Sequence, residues 1–148
     1  MGADTAFTSE HGEIHDRLVH AAREPGPIGE AARRVERFFD QHAAKEERLV
    51  APLLELLPRV ARHKPDSSMA RALPLFDEFS GAVDDMISEH HVISAALEAL
   101  VAAAHAADRP EFAALAARLV SHMRLEETVI YPAALLLGKH LRLRLGPD

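Results

Sequence analysis

Apolar residues in this chain recur in steps of three and four along four long stretches, with proline and glycine between them. The first stretch runs from about Asp4 to Arg23 and ends at Glu24-Pro25-Gly26-Pro27; the second runs from about Ile28 to Leu57 and ends near Pro58. A linker over 59–68 contains Pro65, and a third stretch begins near Ser68 or Pro74 and reaches about Ala107. Asp108-Arg109-Pro110 then reads as an N-cap with proline just inside a fourth stretch, from Pro110 to about Leu137, and Gly138 reads as its stop. No segment alternates with the period of a strand. The pattern predicts an all-α chain of four helices.

Traced along one face, the stripes are Phe7, His11, Ile14, Leu18 and Ala21 on the first helix, and Val35, Phe39, His42, Glu46, Leu49, Leu53 and Leu56 on the second. On the third they are Phe79, Val83, Met86, His90, Ile93, Leu97 and Leu100, and on the fourth Leu115, Leu119, His122, Glu126, Val129 and Ala133. Each is apolar except near its middle, where His, or His and Glu, interrupts it. An unpaired carboxylate in an apolar interior costs several kcal/mol or gives up its charge. A cation removes that cost, and two carboxylates with at least four imidazoles exceed what mutual hydrogen bonding explains.

The interruptions are duplicated. HAAKEERLVAPLL around His42 and Glu46 recurs as HMRLEETVIYPAA around His122 and Glu126, and SEHGEI around His11 recurs as SEHHVI around His90. The chain therefore contains two copies of one helical pair. One HxxxE spacing alone is commonly a helical hydrogen bond; two copies on core stripes, each partnered by a repeated His, point to a dinuclear metal site. Facing helices of a bundle are a place to build one, and oxygen and imidazole ligands suit iron or manganese, with zinc possible.

Composition changes this picture little. The 148 residues, 48% hydrophobic, suit one compact domain over 1–148, with a core about 4–137 and a short basic tail over 138–148. A net charge of -6 gives no reason to expect nucleic acid or an anionic membrane as partner. The absence of cysteine excludes disulfides, thiolate zinc and Cys-ligated iron–sulfur clusters. No leader segment and no long apolar run is visible, so a cytoplasmic protein is the expectation.

The remaining polar residues divide. His15 lies one turn after His11 on the same face and is either a further ligand or a polar residue at the stripe edge; its repeat partner is Ser94. His91, about 100° round the helix from His90, and the remaining histidines His20, His63, His105 and His140 read as peripheral. Glu47 and Glu127 are rotated off the seam and suit surface ion pairs. Tyr131, the single tyrosine, either packs at the bundle rim or supplies a hydrogen bond or radical near the centre.

The sequence of motifs H, HxxxE, H, HxxxE with a trailing EExxxxP resembles the hemerythrin-like, or HHE cation-binding, family. The resemblance spans about Phe7 to Pro132. It implies an up-down-up-down four-helix bundle holding two non-haem irons, Fe2+ or Fe3+, bridged by two carboxylates and an oxo or hydroxo group. Its ligands would be His11, His42, Glu46, His90, His122 and Glu126. EHGEIHDRL also looks like the two-His helix of the oxygen-carrying members, which would add His15, although in those carriers that helix is the third. Five imidazoles would leave about one of roughly twelve coordination positions open and four would leave about two. The expected function is binding of dioxygen, nitric oxide, peroxide or iron for sensing, storage or carriage; the alternative is a di-iron redox enzyme acting on peroxide or nitrogen oxides.

Overall fold

Four helical rods account for nearly all of the structure, a computed structural model that describes residues 2–146, with side chains from Ala6 onward. The first rod is α1 (Gly2–Ala22), and the second is α2 (Pro27–Leu49) continued by α3 (Ala51–Arg62). A 3₁₀ turn (Ser67–Ala72) leads into α4 (Leu73–Ala106), and the last rod is α5 (Pro110–Leu125), a π turn (Glu126–Ile130) and α6 (Tyr131–Leu145). No strand occurs among the described residues. α1 packs on α2, α2 on α4, α4 on α5 and α5 on α1, which closes a ring. α3 and α6 extend their rods beside α1 and α4.

The boundaries follow local chemistry. Gly26 takes a φ of 71°, which glycine adopts without strain, and Pro27 opens α2, where a missing N–H is harmless. Pro110 opens α5 likewise, but the residue at the N-cap is Arg109, with no side-chain cap; Asp108 instead turns the chain with a φ of 54°. Asp66 starts the 3₁₀ turn by accepting from the Ser68 N–H at 2.9 Å.

Two sequence-based boundaries move. Helix α3 continues past Pro58 to Arg62, and α6 runs through Gly138 to Leu145. Gly138 is buried in α6 against the Phe76 ring, where an added Cβ would lie 1.9 Å from Phe76 Cδ1. It is a notch for α4, not a stop. The fourth stripe also leaves its α-helical course after Glu126: Val129 is 53% exposed, and burial resumes at Tyr131, Ala134, Leu137 and Leu141. The π turn is the cause. Its i to i+5 hydrogen bond, from the Tyr131 N–H to the Glu126 carbonyl, inserts one residue into the helical register.

The core has two apolar parts. One gathers Ile14, Leu18, Phe39, Ile93, Leu97 and Leu119 among others. The second gathers Phe7, Leu49, Phe79, Met86, Tyr131 and Leu137. On every rod the His or His–Glu interruption falls between a residue of one cluster and a residue of the other. A buried polar layer therefore lies between two apolar ones.

Candidate metal centre

Six ionisable side chains form that layer, and all are at least nine-tenths buried: His11 from α1, His42 and Glu46 from α2, His90 from α4, His122 from α5 and Glu126 from the π turn. They fall into two groups whose ligand-type atoms lie within 4.8 Å of one another: His11, His122, Glu46 and Glu126, and His42, His90, Glu46 and Glu126. Both carboxylates belong to both groups.

Their oxygens divide accordingly. Glu46 Oε1 lies 3.3 Å from His11 Nε2, and its Oε2 lies 3.3 Å from His42 Nε2. Glu126 Oε2 lies 3.4 Å from His11 Nε2 and 3.0 Å from His122 Nε2, while its Oε1 lies 2.9 Å from His90 Nε2. Each carboxylate thus presents one oxygen to each group. The internal repeat exchanges the groups, since His11 corresponds to His90 and His122 to His42.

The polar atoms are close but poorly satisfied. Glu46 Oε1, Glu126 Oε1 and His122 Nε2 are buried with no hydrogen-bond partner. His122 Nε2 and Glu126 Oε2, although 3.0 Å apart, form no hydrogen bond. The Nε2 atoms of His42 and His90 face each other at 2.9 Å. Buried donors and acceptors left this way are costly. Two N,O-ligated cations would satisfy all of them, so these residues fit the expected group.

Each imidazole is held from outside by a second carboxylate. His11 Nδ1 lies 3.3 Å from Glu47, His42 Nδ1 donates to Glu89 at 2.7 Å, His90 Nδ1 donates to Glu127 at 2.8 Å, and His122 Nδ1 lies 3.5 Å from Glu10. A proton kept on Nδ1 turns the Nε2 lone pair toward the centre. Glu47 and Glu127 therefore serve buried imidazoles across a helix interface, where the sequence suggests surface ion pairing. Sequence reasoning misses Glu10 and Glu89 altogether. The signal is the glutamate before the His in both copies of the repeated SEH.

Charge is strongly coupled across the layer. Burial alone would lower the His11 and His42 pKa values, but the adjacent Glu126 and Glu46 carboxylates outweigh it and raise both to about 10. His90 is raised on the same balance, by Glu126 and Glu127. Burial would raise the Glu126 carboxyl, yet the four imidazoles crowded round it hold it far below the usual carboxylate range.

His15 is in neither group. Its side chain is 42% exposed and its Nδ1 donates to Asp40 at 2.8 Å, in a rim cluster with Glu36. Asp40 raises the His15 pKa. His20, His63, His91 and His105 are exposed and His140 is partly so. Tyr131 is 1% exposed and reaches the centre. Its hydroxyl donates a short hydrogen bond to Glu46 Oε2 and lies 3.2 Å from His42 Nε2 and 3.3 Å from His90 Nε2. Burial, then the Glu46 and Glu126 charges, push its phenol pKa upward.

On the side of His11 and His122, Phe7 packs against both rings, with centroids 4.4 Å and 6.4 Å away. An adjoining cavity of about 420 Å³ is lined by Phe7, Glu10, Leu54, His122 and Ala133 among others.

The family model of the hemerythrin HHE cation-binding domain matches residues 3–134. Comparison with curated proteins and with solved structures returns no match.

Proposed function

This chain belongs to the hemerythrin HHE cation-binding family, and we propose that its cation is a pair of non-haem irons held in the core of an up-down-up-down bundle. His11 and His122 would hold one ion and His42 and His90 the other, with Glu46 and Glu126 bridging them and an oxo or hydroxo group completing the bridge. One observation carries this reading: two His₂Glu₂ groups share the same two carboxylates, each offering one oxygen to each group. Contacts such as His15 with Asp40 and His11 with Glu47 support the topology, because α1 meets α2 in descending order.

A di-iron pair supplies open or exchangeable positions and reversible redox change for dioxygen, nitric oxide or peroxide. The chain's own residues supply the rest. Glu10, Glu47, Glu89 and Glu127 fix the imidazole tautomers, the two apolar clusters keep bulk water from the layer, and the Phe7 cavity offers a small uncharged molecule an apolar approach. Nitrogen and oxygen ligands without thiolate also accept manganese or zinc.

Binding of dioxygen, nitric oxide, peroxide or iron itself, for sensing, storage or carriage, is the reading we favour. A redox enzyme acting on peroxide or nitrogen oxides is the second, favoured by His15 standing outside the centre: four imidazoles leave about two of roughly twelve positions open. Metal content and the visible spectrum test the proposal on protein purified without chelator. Two irons per chain with oxo-bridge absorption, bleached reversibly on reduction and re-exposure to air, are expected. One zinc, or no iron, in a folded protein would overturn the di-iron reading.

A further inference from the structure

The four imidazoles and two glutamates do not exhaust the donor atoms at the centre. Tyr131 reaches it because of the π turn. In an uninterrupted α-helix a residue five positions after Glu126 would point about 140° away from it. The i to i+5 turn at Glu126–Ile130 brings Tyr131 round to the same face. Pro132 accounts for the turn, since its ring cannot sit against the Thr128 carbonyl four residues back in α geometry.

The hydroxyl does not lie behind one of the inner residues, as a simple hydrogen-bond donor would. It sits among three donor atoms at once: Glu46 Oε2, His42 Nε2 at 3.2 Å and His90 Nε2 at 3.3 Å. Ligands about 2.1 Å from one octahedral ion lie roughly 3 Å from their neighbours, and these separations have that scale. A phenol has one proton, taken here by Glu46, and Glu89 and Glu127 hold the Nδ1 protons of His42 and His90; once a cation displaces the proton from each Nε2, the atoms around the phenol oxygen all offer lone pairs to one point.

We infer that Tyr131 is a seventh protein ligand, bound as phenolate to the ion held by His42 and His90. The inference rests on the dinuclear reading above. On loading, the phenol O–H bond breaks, an oxygen–metal bond forms and the proton passes to solvent, with no change of oxidation state.

Tyr131 makes the two ions unlike. Its counterpart in the repeat is Ala51, which offers no donor, and beside His11 and His122 stands Phe7 in place of a hydroxyl. A count of four imidazoles, two bridging carboxylates, one bridging oxygen and one phenolate leaves about one of roughly twelve positions. That position belongs to the His11/His122 ion, on the side of the apolar cavity.

The test uses full-length protein loaded with ferric iron, with metal content and resonance Raman spectra measured on wild type and Tyr131→Phe. Tyr131 is the single tyrosine of the chain, so phenolate ring modes enhanced by excitation into a visible charge-transfer band can come from nowhere else. Wild type alone therefore decides the matter if the variant misfolds. The expected result is two irons and phenolate modes in wild type, with those modes lost and the irons retained in Tyr131→Phe. Two irons without phenolate modes in wild type overturn the ligand assignment and leave the dinuclear reading intact. Fewer than two irons in wild type overturn both.

Discussion

With a cation bound, each inner imidazole would carry a proton on one nitrogen and turn a lone pair on the other to the centre, and the outer carboxylates decide which. Glu89 is the best placed, since it accepts from His42 Nδ1 at 2.7 Å and from Lys45 at 2.5 Å. Glu89→Gln should therefore weaken metal binding about 10- to 100-fold, measured by competition against a chelator of known affinity, while Glu78→Gln, which disturbs only the exposed pair with Arg48, should leave it unchanged. Equal affinities for the two variants would remove Glu89 from the centre. Without metal, His11 and His42 hold their protons up to about pH 10, well above the ordinary 6.5. A group whose folded pKa is raised stabilises the fold fully below its unfolded pKa and loses that contribution as pH rises through the folded one. Glu126, depressed from 4.5, contributes above that value and less as pH falls. Chelated protein should thus melt highest between about pH 4.5 and 6.5 and progressively lower toward pH 10; a flat melting profile over pH 6.5–10 would show that these pairs contribute no net stability.

Helical periodicity makes most of the site legible in the residues themselves. Core stripes interrupted by His and Glu, repeated at offsets of 79 and 80 residues, locate all six buried polar residues, because an α-helix keeps i, i+3 and i+4 on one face. The illegible part lies where that rule fails or where pairing crosses helices. Pro132 signals a break in the helix but not its form as an i to i+5 turn, so α-helical spacing puts Val129 inside and Tyr131 at the rim. Glu10, Glu47, Glu89 and Glu127 point off their own seams and meet a histidine of another helix, which no single-helix pattern records. His15 shares the face of His11, yet a carboxylate at Asp40 holds it at the edge. Gly138 reads as a stop for a related reason, since packing overrides a local signal. Here α6 touches the Phe76 ring of α4 so closely that no Cβ fits. Gly138→Ala should cost about 1–3 kcal/mol by overpacking, despite alanine's better helix propensity, and Phe76→Leu in the same chain should recover part of it in denaturant titrations. A Gly138→Ala variant as stable as wild type would mean that α6 slides freely on α4.

At the scale of the molecule, the arrangement is a polar layer between two apolar clusters, and this predicts how the protein responds to losing its metal. The clusters bury large side chains on both sides, among them Leu18, Phe39 and Leu119 in one and Phe79, Met86 and Leu53 in the other. Their burial does not depend on a cation, whereas a small metal domain that lacks such a core unfolds without its ion. Between them, Glu46 and Glu126 would face buried imidazoles across proton-sharing contacts only, with three polar atoms unpartnered. Chelation should therefore leave a helical, cooperatively melting protein that is less stable than the loaded form. With metal at a thousandfold excess over its dissociation constant, linkage gives about 4 kcal/mol. For a chain of this length that corresponds to a melting temperature higher by roughly 8–16 °C. Circular dichroism melts of chelated and reloaded protein, with bound metal measured in both, check this directly. Loss of the helical signal on chelation would show that the polar layer, not the flanking clusters, holds the rods together; unchanged melting with two ions bound would place those ions outside the layer.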